Sequence, residues 1–253
     1  MASSVGAFRA RGSSVQHRTD ALILTCEHGG NRVPRKHSRA FAPIAGLLAT
    51  HRGWDPGALE LARQMACELN APLYFATTSR LVVDLNRSPG HPRVFSGVSG
   101  GFSEPAREQL LEEHYHPFRE QVMKAVGAQA RRRGKVVHIS VHSFTPILAG
   151  IRRNADIGLL YDPRRSAERM LAAAWREAIR ATDPGLRVRM NYPYRGTSDG
   201  HTTSLRGRFQ PDCYRGIEIE INQAIVRGGA ARWANVRSTV TRGLAVAMGM
   251  ETQ

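Results

Sequence analysis

Cysteine is scarce in this chain: three among 253 residues. Cys26, Cys67 and Cys213 stand too far apart to form a CxxC pair or a disulfide framework. A reducing compartment, the cytoplasm, is the expected setting. Cys26 closes an apolar run and reads as a buried thiol rather than a nucleophile. No apolar run reaches the roughly 18 residues that mark a transmembrane helix, so no membrane span is expected. Acidic residues are in deficit, 21 Asp and Glu against 36 Lys and Arg, which leaves a net charge of +15. Such an excess raises nucleic acid as a partner. Yet the positive residues are scattered, and no finger or RNP-like pattern accompanies them. The longest pure run, Arg131 to Arg133, falls at an expected helix end, where cations suit the dipole. No specific nucleic-acid function is expected, and a few of these arginines suffice for a pocket that takes a small anion. GxSxG elbows, P-loops, internal repeats and clear linkers are also missing.

What remains is an ordinary soluble composition, 42% hydrophobic, in a chain long enough for a substantial core without disulfides. Residues 1–19 are polar and basic and lack the apolar centre of a secretory signal. They are expected to be a disordered lead-in, or a short organellar address, before a single domain over residues 20–253.

Apolar periodicity then alternates between two rhythms. "ALILTC" reads as a buried strand. A helix with apolar positions at Ala58, Leu61, Ala62, Met65 and Leu69 follows a Gly-Trp-Asp-Pro turn, and Asp55 suits its cap, with Pro56 at its first position. Strands are expected at Leu73 to Ala76 and Arg80 to Leu85. A long helix should run from about Glu104 to Arg132, capped by Ser103, stopped at Gly134 and divided or bent at Pro117. "KVVHISVH", "IGLL" and "YRGIEIEINQ" are strands, and helices cover the stretch after "IGLL" and the tail from about Ala224 to Met248. Alternating strands and helices point to an α/β domain, a three-layer αβα arrangement around a central mixed, mostly parallel sheet.

Several strand ends carry chemistry. His28 ends the first strand, before Gly29 and Gly30, whose lack of a side chain permits a tight bend or close approach. His142 ends another. Two neutral imidazoles can bind zinc through ring nitrogens, although satisfied structural histidines are the commoner case. In "GIEIEINQ", Ile217, Ile219 and Ile221 face one way and Glu218, Glu220 and Asn222 the other. Either this is an edge strand with a solvated face, or one carboxylate serves as a proton acceptor beside an activated water. In "SRLVVDLNRSPG", Arg80 and Arg87 each offer a planar fork for a carboxylate or a donor for an oxyanion. Asp84 can orient an arginine or a metal-binding histidine, and Asn86 adds an amide beside it. Surface ion pairs are the competing reading. Arg153 and Asn154 follow the second histidine motif, and Tyr194, Arg195 and His201 lie in a polar loop suited to substrate.

The motifs "CEHGGNRVP", "SRLVVDLNR", "VHSFTP" and "GIEIEINQ", in that order, resemble the N-formylglutamate amidohydrolase family over roughly residues 20 to 245. The resemblance extends distantly to zinc carboxypeptidases and aspartoacylases, and it implies their hydrolase fold, a central mixed sheet flanked by helices. In that pattern a glutamate ligand lies three residues after the first zinc histidine. Asn31, neutral, occupies that place here.

The resemblance implies a divalent metal, zinc, held by His28, His142 and a third ligand for which Asn31 is the matching position. It implies Glu220 as catalytic glutamate with Glu218 one pleat away, Arg80 near the oxyanion position, and Asp84 to Arg87 as the substrate-carboxylate motif. The expected reaction is hydrolysis of N-formylglutamate to glutamate and formate, as in histidine degradation. Another deacylase or carboxypeptidase-like hydrolase of anionic amides is the alternative, as is a binding protein that has lost catalysis.

Overall fold

The protein is described from a computed structural model over residues 5–8 and 20–250. Nine strands are present among these residues: β1 (Val5–Phe8), β2 (Ala21–Cys26), β3 (Leu73–Ala76), β4 (Val136–Phe144), β5 (Ile147–Leu148), β6 (Ile151–Arg152), β7 (Ile157–Leu160), β8 (Val188–Met190) and β9 (Tyr214–Asn222). Seven form one sheet in the order β1-β3-β2-β4-β9-β7-β8, and β5 and β6 form a separate hairpin. β2 runs parallel to β3 and β4, β4 to β9, and β7 to β8. β1 is antiparallel to β3, and β7 to β9. The sheet is therefore mixed and mostly parallel, with helices on both faces.

The two faces differ because side chains alternate along each strand. Val137, Ile139 and Val141 of β4 and Ile217, Ile219 and Ile221 of β9 lie in the main core with the helices Ala58–Glu68, Ser166–Thr182 and Ala230–Ala247. The opposite face carries Thr25, His138, Ser140, His142, Glu218 and Glu220. The helix His116–Arg133 covers its lower half by packing Phe118, Val122 and Val126 against Ile23, Val136 and Tyr214. β9 is thus interior, flanked by β4 and β7, and the solvated-edge reading of its carboxylates does not hold. His138 is the satisfied core histidine of this face. Its ring contacts Thr25 Oγ1 at 2.8 Å and Tyr214 Oη at 2.6 Å. Burial, reinforced by His201, pushes it down to about 3.

Three local expectations need correction. Arg80 to Leu85 is a run of turns rather than a strand. Its backbone bonds go to scattered partners, Arg80 N to Gly53 O, Val82 N to Ser79 O and Asp84 N to Val94 O. Val82 and Val83 anchor it in different apolar clusters. Asp55 does not cap the following helix with its side chain: Gly57, at φ 83°, stands at the cap, and the Asp55 carboxylate points elsewhere. Within the lead-in expected to be disordered, Val5–Phe8 adds a strand to the free edge of β3, where unpaired backbone groups accept a partner. The other residues of 1–19 lie outside the described ones.

The helix break at Pro117 takes a specific form. Glu104–Leu110 passes through a π-helical turn, Leu111–Tyr115, into His116–Arg133. Proline lacks the N–H that would continue the ladder, and the wider turn absorbs the mismatch.

One buried ion pair ties the polar side of the sheet to a helix. Glu168 accepts from Arg206 Nε at 3.0 Å, from Gly216 N at 3.0 Å and from Asp162 N at 2.9 Å. Both side chains are buried. Glu168→Ala is expected to cost about 3–5 kcal/mol, because the Arg206 charge is left without its partner, read as a lowered urea midpoint at unchanged slope.

Candidate metal centre and active site

Three elements deliver the polar cluster. His28 follows β2 where the chain turns through Gly29 and Gly30. A Cβ on these glycines would lie 2.9 Å from Ala76 O and 2.7 Å from Thr77 O, so close packing against the neighbouring segment, rather than positive φ, demands glycine here. Asp55 comes from the turn before the helix Ala58–Glu68, whose backbone is tied to the first motif by Asp55 N to His28 O at 3.0 Å. His142 sits near the end of β4. Asp55 Oδ2 lies 2.9 Å from His142 Nδ1 and 3.4 Å from His28 Nδ1. One donor atom from each residue falls within 4.8 Å of the others, and all three residues are buried.

The far side of each imidazole is also held. His28 Nε2 donates to Asp84 Oδ1 at 2.7 Å, and Asp84 Oδ2 accepts from Arg80 Nη2 at 2.9 Å. His142 Nε2 contacts Ser140 Oγ at 2.9 Å. Burial opposes ionisation of Asp84 and Asp55, but Arg80 and His28 hold the first carboxyl well below the usual range, and His28, His142 and Arg80 hold the second. Burial would lower His142, but its hydrogen bond to Asp55 and the charges of Asp55, Glu27 and Glu220 push it up to about 10.

Glu220 is paired in register with His142 across β4 and β9, and Glu218 with Ser140. Thr202 Oγ1 donates to Glu218 Oε1. Glu220 Oε2, by contrast, is buried without a hydrogen-bond partner. Burial, with Asp55 and Glu218 acting against His142, pushes its carboxyl up to about 8. A buried acid with one oxygen uncommitted beside the His142 imidazole is poised for proton transfer. Next to the cluster, a cavity of about 430 Å³ is lined by Arg52, Arg80, Arg87 and Arg93, with Asp84 on its wall.

The donor set suits a divalent cation. Two imidazole nitrogens and a carboxylate are ordinary zinc donors, and the outer partners of both rings are of the kind that orient such ligands. Ligation requires His142 without its proton on Nδ1. Because Asp55 pushes that imidazole up to about 10, metal uptake is expected to release at least one proton at neutral pH. Apparent affinity is expected to rise about tenfold per pH unit between about 6.5 and 9. Calorimetry in buffers of different ionisation enthalpy reads the released proton directly, and a flat profile would refute the assignment.

The N-formylglutamate amidohydrolase family model matches residues 20–227. The chain belongs to that family. A gene product of Agrobacterium tumefaciens with a known crystal structure is 29% identical, with a TM-score of 0.80 over 98% of this chain and 96% of that one. An N-formylglutamate amidohydrolase from Ralstonia eutropha JMP134 is 18% identical, with a TM-score of 0.67 over 97% of each chain, which shows the shared fold. A metallo-carboxypeptidase from Burkholderia cenocepacia is similar more distantly, at 12% identity and a TM-score of 0.43 over 97% of this chain and 60% of that one. No curated protein matches. Among the described residues, no helix is long and apolar enough to cross a membrane.

Within this amidohydrolase fold the residues singled out in the sequence separate into groups. His28, His142, Glu218, Glu220, Arg80 and Asp84 come together. Asn31 does not: it is exposed, and the third donor beside the histidines is Asp55. The bend through Gly29 and Gly30 carries Asn31 away, whereas the His28–Asp55 backbone bond brings the later turn in. Asp84 lies on the cavity wall with its carboxylate oxygens engaged by His28 and Arg80. Asn86 Oδ1 accepts from His201 N at 2.6 Å and its Nδ2 lies 3.4 Å from His142 Nε2. Arg87 lines the cavity and donates to Asp199 O at 3.0 Å.

Arg153 is buried, donates to Tyr194 Oη at 3.0 Å and stacks over the Tyr194 ring. The Tyr194 hydroxyl is raised by burial and by Glu220, so this pair borders the catalytic face. Asn154 is exposed and accepts from Arg187, and Arg195 is exposed. His201 is the sharpest departure from a substrate loop. It begins the short helix His201–Arg206, is buried, and bonds through Nδ1 to Glu27 Oε1 at 2.7 Å. Burial and the Arg119 charge press it down to about 4. Asp55 and Glu27 are the functional candidates that sequence reasoning passed over. Asp55 was masked by its resemblance to a helix cap, and Glu27 by its place beside His28.

Proposed function

We propose that the protein hydrolyses the amide of a small anionic N-acyl amino acid, N-formylglutamate to glutamate and formate, with zinc held by His28, Asp55 and His142. The observation that carries this reading is the convergence of those three donors beside the uncommitted carboxyl oxygen of Glu220. When bound, the metal supplies Lewis-acid polarisation of the acyl carbonyl and acidifies water. The chain's residues divide the remaining work. Arg87 and Arg153 attract the substrate's carboxylates, the first by a planar fork on the cavity wall. Arg80, already fixed by Asp84, directs its remaining donors at the developing oxyanion. Glu220 takes a proton from the attacking water and returns it to the departing nitrogen.

Glu218, engaged by Thr202, stands beside that base rather than sharing its role. Asp84 and Ser140 hold the rings of His28 and His142 from behind. Three free thiols support a reducing compartment, the cytoplasm. A stoichiometric metal assay, followed by N-formylglutamate hydrolysis before and after complete chelation, tests the reading. Full turnover by metal-free protein would overturn it. A panel of N-acyl amino acids decides the acyl group and the side chain, and preference for an uncharged substrate would remove the roles given to Arg87 and Arg153.

A further inference from the structure

A chain of buried polar groups leads away from His142 on the side opposite Asp55. His142 Nε2 lies 2.9 Å from Ser140 Oγ. Ser140 Oγ donates to Glu27 Oε2 at 2.7 Å. The other oxygen, Glu27 Oε1, receives His201 Nδ1 at 2.7 Å. All four residues are buried, Glu27 completely. The strand register explains the alignment: Thr25 pairs with Ser140, so the residue two beyond it, Glu27, falls on the same face beside His142.

Hydrogen counting restricts what this chain can be. A serine has one hydroxyl hydrogen. Given to the Glu27 carboxylate, it leaves only lone pairs on Ser140 Oγ for His142. The imidazole must then carry a hydrogen on Nε2 and donate it. Glu27 Oε2 also lies 3.4 Å from Nε2, which favours the same hydrogen. The amide nitrogen of Asn86, 3.4 Å from Nε2, would favour the opposite arrangement, but it sits at the outer limit of hydrogen bonding and the two short links prevail. With Nε2 protonated, a neutral His142 has its lone pair on Nδ1, where Asp55 and His28 converge.

We infer that Ser140 and Glu27 are positioning residues that select the His142 tautomer, with His201 clamping Glu27 from the far side. The inference rests on the metal reading above for its functional consequence, but the proton on Nε2 is a property of the chain itself. A carboxylate buried without charge neutralisation is costly. Its two oxygens are each given a donor here, which orders the relay rather than leaving a loose acid in the core. His28 has a direct carboxylate partner, Asp84. His142 has the same device lengthened by one hydroxyl, so the two rings are oriented from opposite walls of the site.

The test uses full-length protein with its histidine ring nitrogens isotopically labelled, metal-free and zinc-loaded, beside titrations of zinc affinity. Wild type and Ser140→Thr should show an exchange-protected hydrogen on His142 Nε2. Ser140→Ala and Glu27→Gln should lose that protection and bind zinc about 10–100-fold more weakly. A merely structural role would lower the urea midpoint in Ser140→Ala and Ser140→Thr alike without separating them in zinc affinity. Ser140→Cys replaces Ser140→Ala should the latter not fold. A protected Nε2 hydrogen and wild-type zinc affinity in Ser140→Ala would overturn the inference. Should wild type take up no zinc, the metal reading fails, while the contrast in Nε2 exchange protection between metal-free wild type and Ser140→Ala still decides the relay.

Discussion

Asp55→Asn is expected to remove stoichiometric metal binding, weakening affinity by more than the roughly 100-fold that loss of an outer hydrogen-bond partner produces, with activity falling in step with occupancy. The substitution keeps the side chain's shape and deletes its charge. It therefore separates ligation from packing. It also strips His142 of its main counter-charge, which gives the metal-free variant a defined stability signature. His142 is raised from 6.5 to about 10 in the folded protein, so its favourable contribution is complete below about 6.5 and disappears as pH rises through about 10. The Asp55 carboxyl, held below 3.8, contributes above that value and is lost as pH falls. The deficit of Asp55→Asn relative to wild type should accordingly be largest in the acidic-to-neutral range and close towards pH 10. Urea titrations across that range measure it. A deficit that grew with alkalinity would assign the His142 shift to another partner.

Glu220→Gln should lower kcat by about 10²–10⁴-fold, the usual worth of a positioned general base, while metal content stays at the wild-type level. Stability should move the other way. The folded carboxyl titrates at about 8 against 4.5 for the free group. Wild type therefore holds a proton that the unfolded chain has released, and that contribution is lost as pH climbs from about 4.5 through 8. Glutamine does not titrate, so the metal-free variant should gain on wild type over the same interval. A variant that lost activity and metal together would place Glu220 among the groups that hold the ion. One that retained activity would shift the base to Glu218 despite its bond from Thr202.

The parts of this site that were legible in the sequence are those governed by strand periodicity. The alternation in "GIEIEINQ" and "VVHISVH" put His142 and both glutamates on one face, and the central position of β9 then made that face interior. Periodicity says nothing about turns. Arg80 to Leu85 alternates like a strand, but its backbone partners come from Gly53, Ser79 and Val94, which no local pattern encodes. Asp55 precedes a proline and a helix, as a capping residue does, and only the long-range bond from its N–H to His28 O turns its carboxylate inward. Asn31 failed in the reverse sense. Its spacing from His28 matched a ligand pattern, while the packing of Gly30 against Thr77 directs the chain outward after His28. His201 sits among glycines and hydroxyls that read as a surface loop, and its burial depends on the distant Glu27 and Phe118.

The pairing of His142 with Glu220 across β4 and β9 makes the backbone ladder a ruler for the chemistry. The separation between the ring and the base is set by inter-strand spacing, about 4.8 Å, and not by any flexible segment. A slip of one residue would send one of them to the apolar face, so a substitution that keeps the site must keep the ladder. The groups assigned to substrate come instead from stretches off it, Arg80 to Arg87, Arg153 and the segment around Tyr194. Such segments tolerate exchange far better than interior strands. Acyl-group and side-chain preference should thus be open to redesign by grafting these segments between relatives, with the proton-transfer geometry carried over intact by two strands that need not change.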